Sequence, residues 1–320
     1  MTDGSSAPVD GTPTDASASP RPTAFLLGAP TAAGKSAVAL RLAQRFALEI
    51  VSADAMQVYR GLDVGTAKPT PEERARVRHH LIDVVSPQQA FSVADWVVRA
   101  EAAIVDADAR GVRCLVVGGT GFYLMALAEG LPTTPPADPG AQAPLWERLE
   151  REGVAALERD LAAAAPDDAV RAQRNPRRLV RSIEVLARTG RPPSAFPRRT
   201  PRVAVDRTWL VPTLAELDPR IEARALAMLD GGLIEEAAAL DAASLATASQ
   251  AIGYAEATAV ARGELSRDEA LAAIVTATRR YARRQRTWFR RHAAERRLAS
   301  LAALAEPLLD AWLRAATAQR

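Results

Sequence analysis

Over the first third of the chain, short apolar runs alternate with longer stretches in which apolar residues recur at helical spacing. AFLLGA (24–29), broken by Gly28 and followed by Pro30, has the length and continuity of a buried strand. In KSAVALRLAQRF (35–46), Val38, Leu42 and Phe46 fall on one face of a helix. LEIVSA (48–53) and RCLVVGG (113–119) repeat the strand pattern. Between them, SVADWVVRAEAAIVDADARG (92–111) predicts a helix, with Ser92 as N-cap, Asp95 three residues on, and Gly111 at its end. The alternation predicts an α/β fold, a parallel sheet flanked by helices with right-handed crossovers.

The pattern changes at the proline-rich bend LPTTPPADP (131–139). An Ala- and Arg-rich helical stretch follows to about residue 200, RTWLVPT (207–213) returns to a strand pattern, and the remainder reads as helix. A helical insertion in an α/β core accounts for that order better than two independent domains. The expected organisation is a tail at 1–22, a core from 23–136 and 206–320, and an insertion at 137–205. The tail is rich in Ser, Thr, Pro, Ala and Asp, has too little apolar surface to offset ordering entropy, and is expected to be disordered. It lacks the basic start and apolar run of a secretory leader.

Composition narrows the picture in three places. The chain is 48% apolar without an uninterrupted apolar run long enough to cross a bilayer, so a cytoplasmic protein with no membrane partner is expected. One cysteine, Cys114, excludes a disulfide framework within the chain, and three histidines leave no Cys/His zinc pattern. Net charge is only +3, but Val170 to Arg207 holds eleven arginines against Glu184 and Asp206, and TRRYARRQRTWFRRHAAERR (278–297) is a second basic run. Such blocks mark either solvated helix faces or a surface for an anionic partner such as nucleic acid. Of 41 basic residues only Lys35 and Lys68 are lysine, the compact point charge suited to a tight phosphate site.

Lys35 ends LLGAPTAAGKS (26–36), which approximates the phosphate-loop pattern G-x-x-x-x-G-K-S/T. The first glycine is displaced: Gly28 lies one place early and Ala29 stands at the pattern position, which it fills only with negative φ. Gly34, Lys35 and Ser36 supply a close backbone approach, a cation and a hydroxyl for Mg²⁺, and the following helix adds its N-terminal dipole. The next segment, EIVSADAMQVYRGLDVGTAKP (49–69), carries Asp54 to the carboxyl end of a strand, the edge where open α/β sheets bind ligands. Asp54 there serves either as a functional acid or as a turn cap. The polar loop after it has the character of a receptor for a second substrate.

The phrases APTAAGKS, SADAMQVYRGLDVGTAKP, LVVGGTGFY, NPRRLVRSIEV, AIGYAEA and TRRYARRQRTWFRR run in this order from about residue 24 to 292. Together they resemble the bacterial tRNA dimethylallyltransferases. The resemblance implies a P-loop NTPase-like core and transfer of a dimethylallyl group from dimethylallyl diphosphate to N6 of the adenosine 3′ to the tRNA anticodon. By this resemblance Ala29, Pro30, Thr31, Ala32, Ala33, Gly34, Lys35 and Ser36 hold the donor diphosphate, with Mg²⁺ at Ser36, rather than ATP. Asp54 is implied as general base, and Thr120 as a second catalytic residue touching the reacting adenosine; Thr120 alternatively caps the helix at 121–129. Contacts to the anticodon stem-loop are implied at Asp54, Ala55, Met56, Gln57, Thr120, Arg177, Arg178, Leu179, Val180 and Arg181, and at Gln250, Ala251, Ile252, Gly253 and Tyr254.

In the C-terminal run, Ile274, Ala277, Tyr281 and Trp288 mark an apolar stripe. Arg279, Arg283, Arg286 and Arg290 mark a basic one, expected to serve the diphosphate channel and RNA phosphates. Three departures from the family pattern weaken the implied RNA contacts: Ala55 for serine, Gln142 for an arginine, and Ala255 for a basic residue. A monomer is expected. The rival readings are an adenylate isopentenyltransferase, a phosphate-loop kinase or NTPase, and a non-enzymatic RNA-binding module.

Overall fold

The computed structural model describes residues 21–240 and 247–318. Most of the expected tail therefore lies outside the described residues. Arg21 and Pro22 are fastened to the core: Arg21 donates to the Pro201 carbonyl at 3.2 Å, and the Pro22 carbonyl accepts from Ala204 N–H at 2.8 Å.

Six parallel strands form one sheet in the order β3-β2-β4-β1-β5-β6. They are β1 (Thr23–Gly28), β2 (Glu49–Ser52), β3 (His79–His80), β4 (Cys114–Gly118), β5 (Ala204–Leu210) and β6 (Arg296–Leu298). The inner strands β1, β2 and β4 are the continuous apolar runs of the sequence, buried on both faces as parallel sheets require. The outer strands β3 and β6 escaped the pattern because they are two and three residues long and carry His and Arg side chains. β5 begins three residues before the expected run, with Asp206 and Arg207 opposite Phe25 and Leu26 of β1.

Helices α1 (Lys35–Phe46), α2 (Pro71–Arg76) and α3 (Val93–Ala109) connect the first four strands, and α4 (Gly121–Glu129) follows β4. α3 carries the expected capping box: Ser92 Oγ accepts from Asp95 N–H, and the Asp95 carboxylate accepts from Ser92 N–H. Then α5 (Pro139–Glu152), α6 (Val154–Ala164), α7 (Pro166–Ala172) and α8 (Pro176–Thr189) gather around an apolar cluster of their own, with Leu157, Leu161, Leu179 and Val180 inside. The chain leaves and re-enters the core at one place, where Thr133 N–H meets the Pro197 carbonyl and Arg199 N–H meets the Leu131 carbonyl, both at 2.9 Å. Buried Glu184 joins that neck to α8. It accepts from Arg181, Arg188, Gln142 and the Asp138 N–H, and these bonds outweigh its burial and hold its carboxyl down at about 2.

α9 (Leu214–Asp230), α10 (Leu233–Ala238), α11 (Tyr254–Ala261), α12 (Arg267–Arg291) and α13 (Ala302–Thr317) complete the fold. α12 lies over the carboxyl ends of the central strands, where Trp209, Trp288 and Phe289 interlock with ring centroids 5.1–6.3 Å apart. Gly28 ends β1 under this cluster: a Cβ there would stand 2.5 Å from Phe289 and 2.6 Å from Trp209.

Candidate active site

The displaced glycine of the loop thus has a packing cause. Ala29 is buried outside the left-handed region, and its N–H bonds the Gly118 carbonyl at 3.2 Å. Two further loop amides are also committed: Thr31 N–H to Gln285 Oε1 at 2.8 Å, and Ala33 N–H to the Pro30 carbonyl at 3.4 Å. Pro30 has no N–H to offer. Within 29–36, the stretch expected to hold the diphosphate, four backbone amides are left open. The amides of Ala32, Gly34, Lys35 and Ser36 make no hydrogen bond among the described residues, and α1 begins there. Gly34 has φ 83, and a Cβ on it would lie 3.0 Å from Arg220, which arches over the loop and holds the Ala32 carbonyl at 2.8 Å.

From this loop a cavity of about 360 Å³ extends along the carboxyl edge of the sheet, with Lys35, Ser36, Asp54, Arg224, Tyr281 and Gln285 on its walls. Asp54 Oδ1 accepts from Met56 N–H at 2.9 Å, which sets the turn after β2; its other oxygen makes no hydrogen bond among the described residues. Thr120 precedes α4 without capping it. Its Oγ1 instead accepts from Ala55 N–H at 3.2 Å, on the side of the cavity that Tyr281 also lines. Both alternatives left open by the sequence are resolved in part: Asp54 is a turn residue with a free oxygen, and Thr120 is no cap.

Two cations face this acid. Burial, then the nearby Arg224 guanidinium, pull Lys35 down to about 8 against the attraction of Asp54. Burial likewise lowers Arg224, again opposed by Asp54. Burial pushes the Tyr281 hydroxyl up to about 12, with Asp54 adding to the effect, so Tyr281 stays a neutral donor. With Lys35, Arg224 and Arg284 on its walls against the single carboxylate of Asp54, the cavity carries the charge an anion needs.

Sequence reading missed Arg220, Arg224, Arg284 and Gln285. Arg220 and Arg224 were visible as a four-residue repeat on α9, and Thr278, Tyr281 and Gln285 follow at three and four on α12. Gln285 ties the elements together, since its Nε2 also donates to the Gly119 carbonyl at 2.9 Å. Half of the expected basic stripe is engaged elsewhere: Arg279 pairs with Asp218 and Glu222, and Arg286 donates to the Pro212 carbonyl, while Arg283 and Arg290 are exposed. The arginine of α12 that reaches the cavity is Arg284.

The remaining candidates divide. Ala55, Met56, Gln57, Gln250, Ala251 and Ile252 line the cavity with Asp54. Gln57 is fixed by Ser52 Oγ and by the Thr66 and Ala67 carbonyls. Gly253 and Tyr254 are buried beside it, the Tyr254 hydroxyl on Glu236. In the insertion, Leu179 and Val180 are core residues, and Arg181 is turned onto Glu184, Thr134 and Pro135. Arg177 and Arg178 remain exposed, as does Arg171, whose carbonyl accepts from Arg178 at 3.2 Å. Gln142 serves Glu184, a role that explains an amide where an arginine was expected. Ala255 is exposed at the start of α11. Lys68 lies outside the cavity: its ammonium, nearly buried, holds the Tyr59 carbonyl, Asp63 and Asp83, each at 2.6 Å.

Fold and cavity define a phosphate-loop-like α/β protein with a cation-lined cavity at the carboxyl edge of its sheet. The comparisons sharpen that class. The chain belongs to the IPP transferase family, whose model matches residues 57–292. It is 52% identical over 267 residues to the tRNA dimethylallyltransferase of Thermus thermophilus, covering 83% of this chain and 88% of that relative. The tRNA dimethylallyltransferase of Deinococcus radiodurans is 52% identical over 272 residues, with 83% and 89% covered. The solved full-length tRNA isopentenylpyrophosphate transferase of Bacillus halodurans superposes with a TM-score of 0.65 at 32% identity, covering 92% of this chain and 97% of that one. A eukaryotic dimethylallyltransferase acting on tRNA, at 24% identity and a TM-score of 0.71, shares the fold over 92% of this chain and 77% of its own.

Proposed function

We propose that the protein transfers a dimethylallyl group from dimethylallyl diphosphate to N6 of the adenosine 3′ to the anticodon in tRNA. One observation carries this reading: Lys35, Arg224 and the free oxygen of Asp54 share one cavity. The diphosphate lies on Lys35, Arg224 and the open amides of Ala32, Gly34, Lys35 and Ser36. Adenine N6 attacks the allylic carbon, the carbon–oxygen bond to diphosphate breaks, and Asp54 accepts the N6 proton. The fixed cations stabilise the charge that develops on the departing diphosphate without reorganising. Thr120 and Tyr281 orient the acceptor beside Asp54.

The donor set also fits Mg²⁺. Ser36 lines the cavity beside the open loop amides, and Mg²⁺ is commonly held by few protein ligands plus phosphate and water. Bound at Ser36, the ion would neutralise diphosphate charge. The exposed Arg171, Arg177 and Arg178 group on the insertion is the surface proposed for the tRNA backbone. Among the described residues no helix is long and apolar enough to cross a membrane, and the proposed site of action is the cytoplasm.

A transfer assay tests the reading. Labelled dimethylallyl diphosphate is incubated with Mg²⁺ and unmodified tRNA, with AMP and ATP in parallel. Label in tRNA supports it; label in AMP alone, or ATP turnover without transfer, refutes it.

A further inference from the structure

Outside the reacting groups, one carboxylate is surrounded by donors. Glu236, on α10, accepts from Asp63 and Val64 N–H at Oε2, both at 2.8 Å, and from Gly65 N–H at Oε1 at 3.1 Å. Oε1 also accepts the Tyr254 hydroxyl at 2.6 Å. Three successive amides turned inward make an anion-binding concavity, and here the chain supplies its own anion. Gly65 is required for the fourth bond, because a Cβ there would stand 2.5 Å from the Tyr254 ring.

The two segments so joined both wall the cavity. Gly65, Thr66 and Ala67 form one side; Gln250, Ala251 and Ile252, just before Tyr254, form another. The first segment also places Gln57, whose amide rests on the Thr66 and Ala67 carbonyls at 3.2 Å. Lys68 closes the same loop from its far end through Tyr59, Asp63 and Asp83. None of these contacts involves the phosphate loop.

We infer that Glu236 is a positioning residue that joins the 63–67 and 250–254 segments into one rigid wall for the RNA acceptor, independently of the donor site. This rests on the transfer reaction proposed above. Wild-type transfer in the same assay tests that reading separately.

The experiment compares Glu236→Gln and Tyr254→Phe with the wild type. An amide cannot replace the carboxylate, since it accepts at one oxygen and presents N–H groups to N–H groups. Tyr254→Phe removes only the cross-link and leaves the 63–65 bonds intact. Donor affinity is measured by calorimetry with dimethylallyl diphosphate alone, and tRNA KM and kcat at saturating donor. The expected result for Glu236→Gln is a rise in tRNA KM on the order of tenfold, with a smaller rise for Tyr254→Phe. In both, donor Kd and kcat stay within about twofold of wild type, as for loss of uniform binding. Unchanged tRNA KM in a folded variant overturns the inference, as does an equal loss of donor affinity. If Glu236→Gln fails to fold, Tyr254→Phe decides by the same criteria.

Discussion

Asp54→Asn separates chemistry from architecture. Asparagine keeps a carbonyl oxygen for the Met56 N–H, so the turn after β2 is retained and the stability change stays under about 1 kcal/mol. At this size that corresponds to a melting shift of about 2–4 °C or less. The substitution removes the acid that attracts Lys35 and Arg224, leaving the cavity more positive and the donor bound at least as tightly. What is lost is the proton acceptor. General-base catalysis contributes about 10²–10⁴-fold, so kcat is expected to fall by that factor, or about 2.7–5.4 kcal/mol of transition-state stabilisation. Single-turnover transfer of labelled prenyl to tRNA, with donor Kd from calorimetry, reads both quantities. A kcat within tenfold of wild type, or a loss of activity accounted for by donor Kd, refutes Asp54 as the base.

Four further outcomes follow from the same geometry. Arg224→Gln should weaken donor binding by roughly ten- to a hundredfold, as expected for a lost charge-assisted contact, while tRNA KM is unchanged; calorimetry and initial rates check it. Lys35, held at about 8 mainly by burial, should give a donor kcat/KM that is flat from neutral pH to about 8 and falls about tenfold per unit above it. Because its folded value lies below the ordinary 10.5, the unfolded chain binds the extra proton, and donor-free stability should rise between pH 8 and 10.5, measured by denaturant titration. Gln285→Leu strands Thr31 N–H and the Gly119 carbonyl, and should cost about 2–4 kcal/mol in urea unfolding with the m-value unchanged.

The α/β core was legible because its inner strands are buried on both faces and its helices carry their caps in the sequence, as Ser92 and Asp95 do. The edge strands were illegible, because solvent on one side removes the apolar signature from His79–His80 and Arg296–Leu298. At the site, local segments spoke plainly: Lys35, Ser36 and Asp54 reach one cavity as their neighbours predicted. The contributions of Arg224 and Gln285 depend on α9 and α12 folding back over the loop from about 190 and 250 residues away, contacts for which a single sequence holds no periodic signal. Charge density misled most. The block from Val170 to Arg207 left open solvated helix faces or an anion-binding surface, and neither reading foresaw that Arg181, Arg188, Arg199 and Arg207 pair with Glu184, Glu101 and Glu295.

The pairing of β1 with β5 has a consequence for biosynthesis. Thr23 is opposite Ala204, so on the ribosome the central strand waits for some 180 residues before its second neighbour is made. At about 5–20 residues per second this interval is roughly 10–40 s. Throughout it β1 presents an unpaired apolar edge, the feature that invites misassociation. Helices α5 to α8 can close their own cluster around Leu157 and Leu179 in that time. Their early folding brings residues 131–133 and 197–199 together and shortens the effective loop that β5 must close to reach β1.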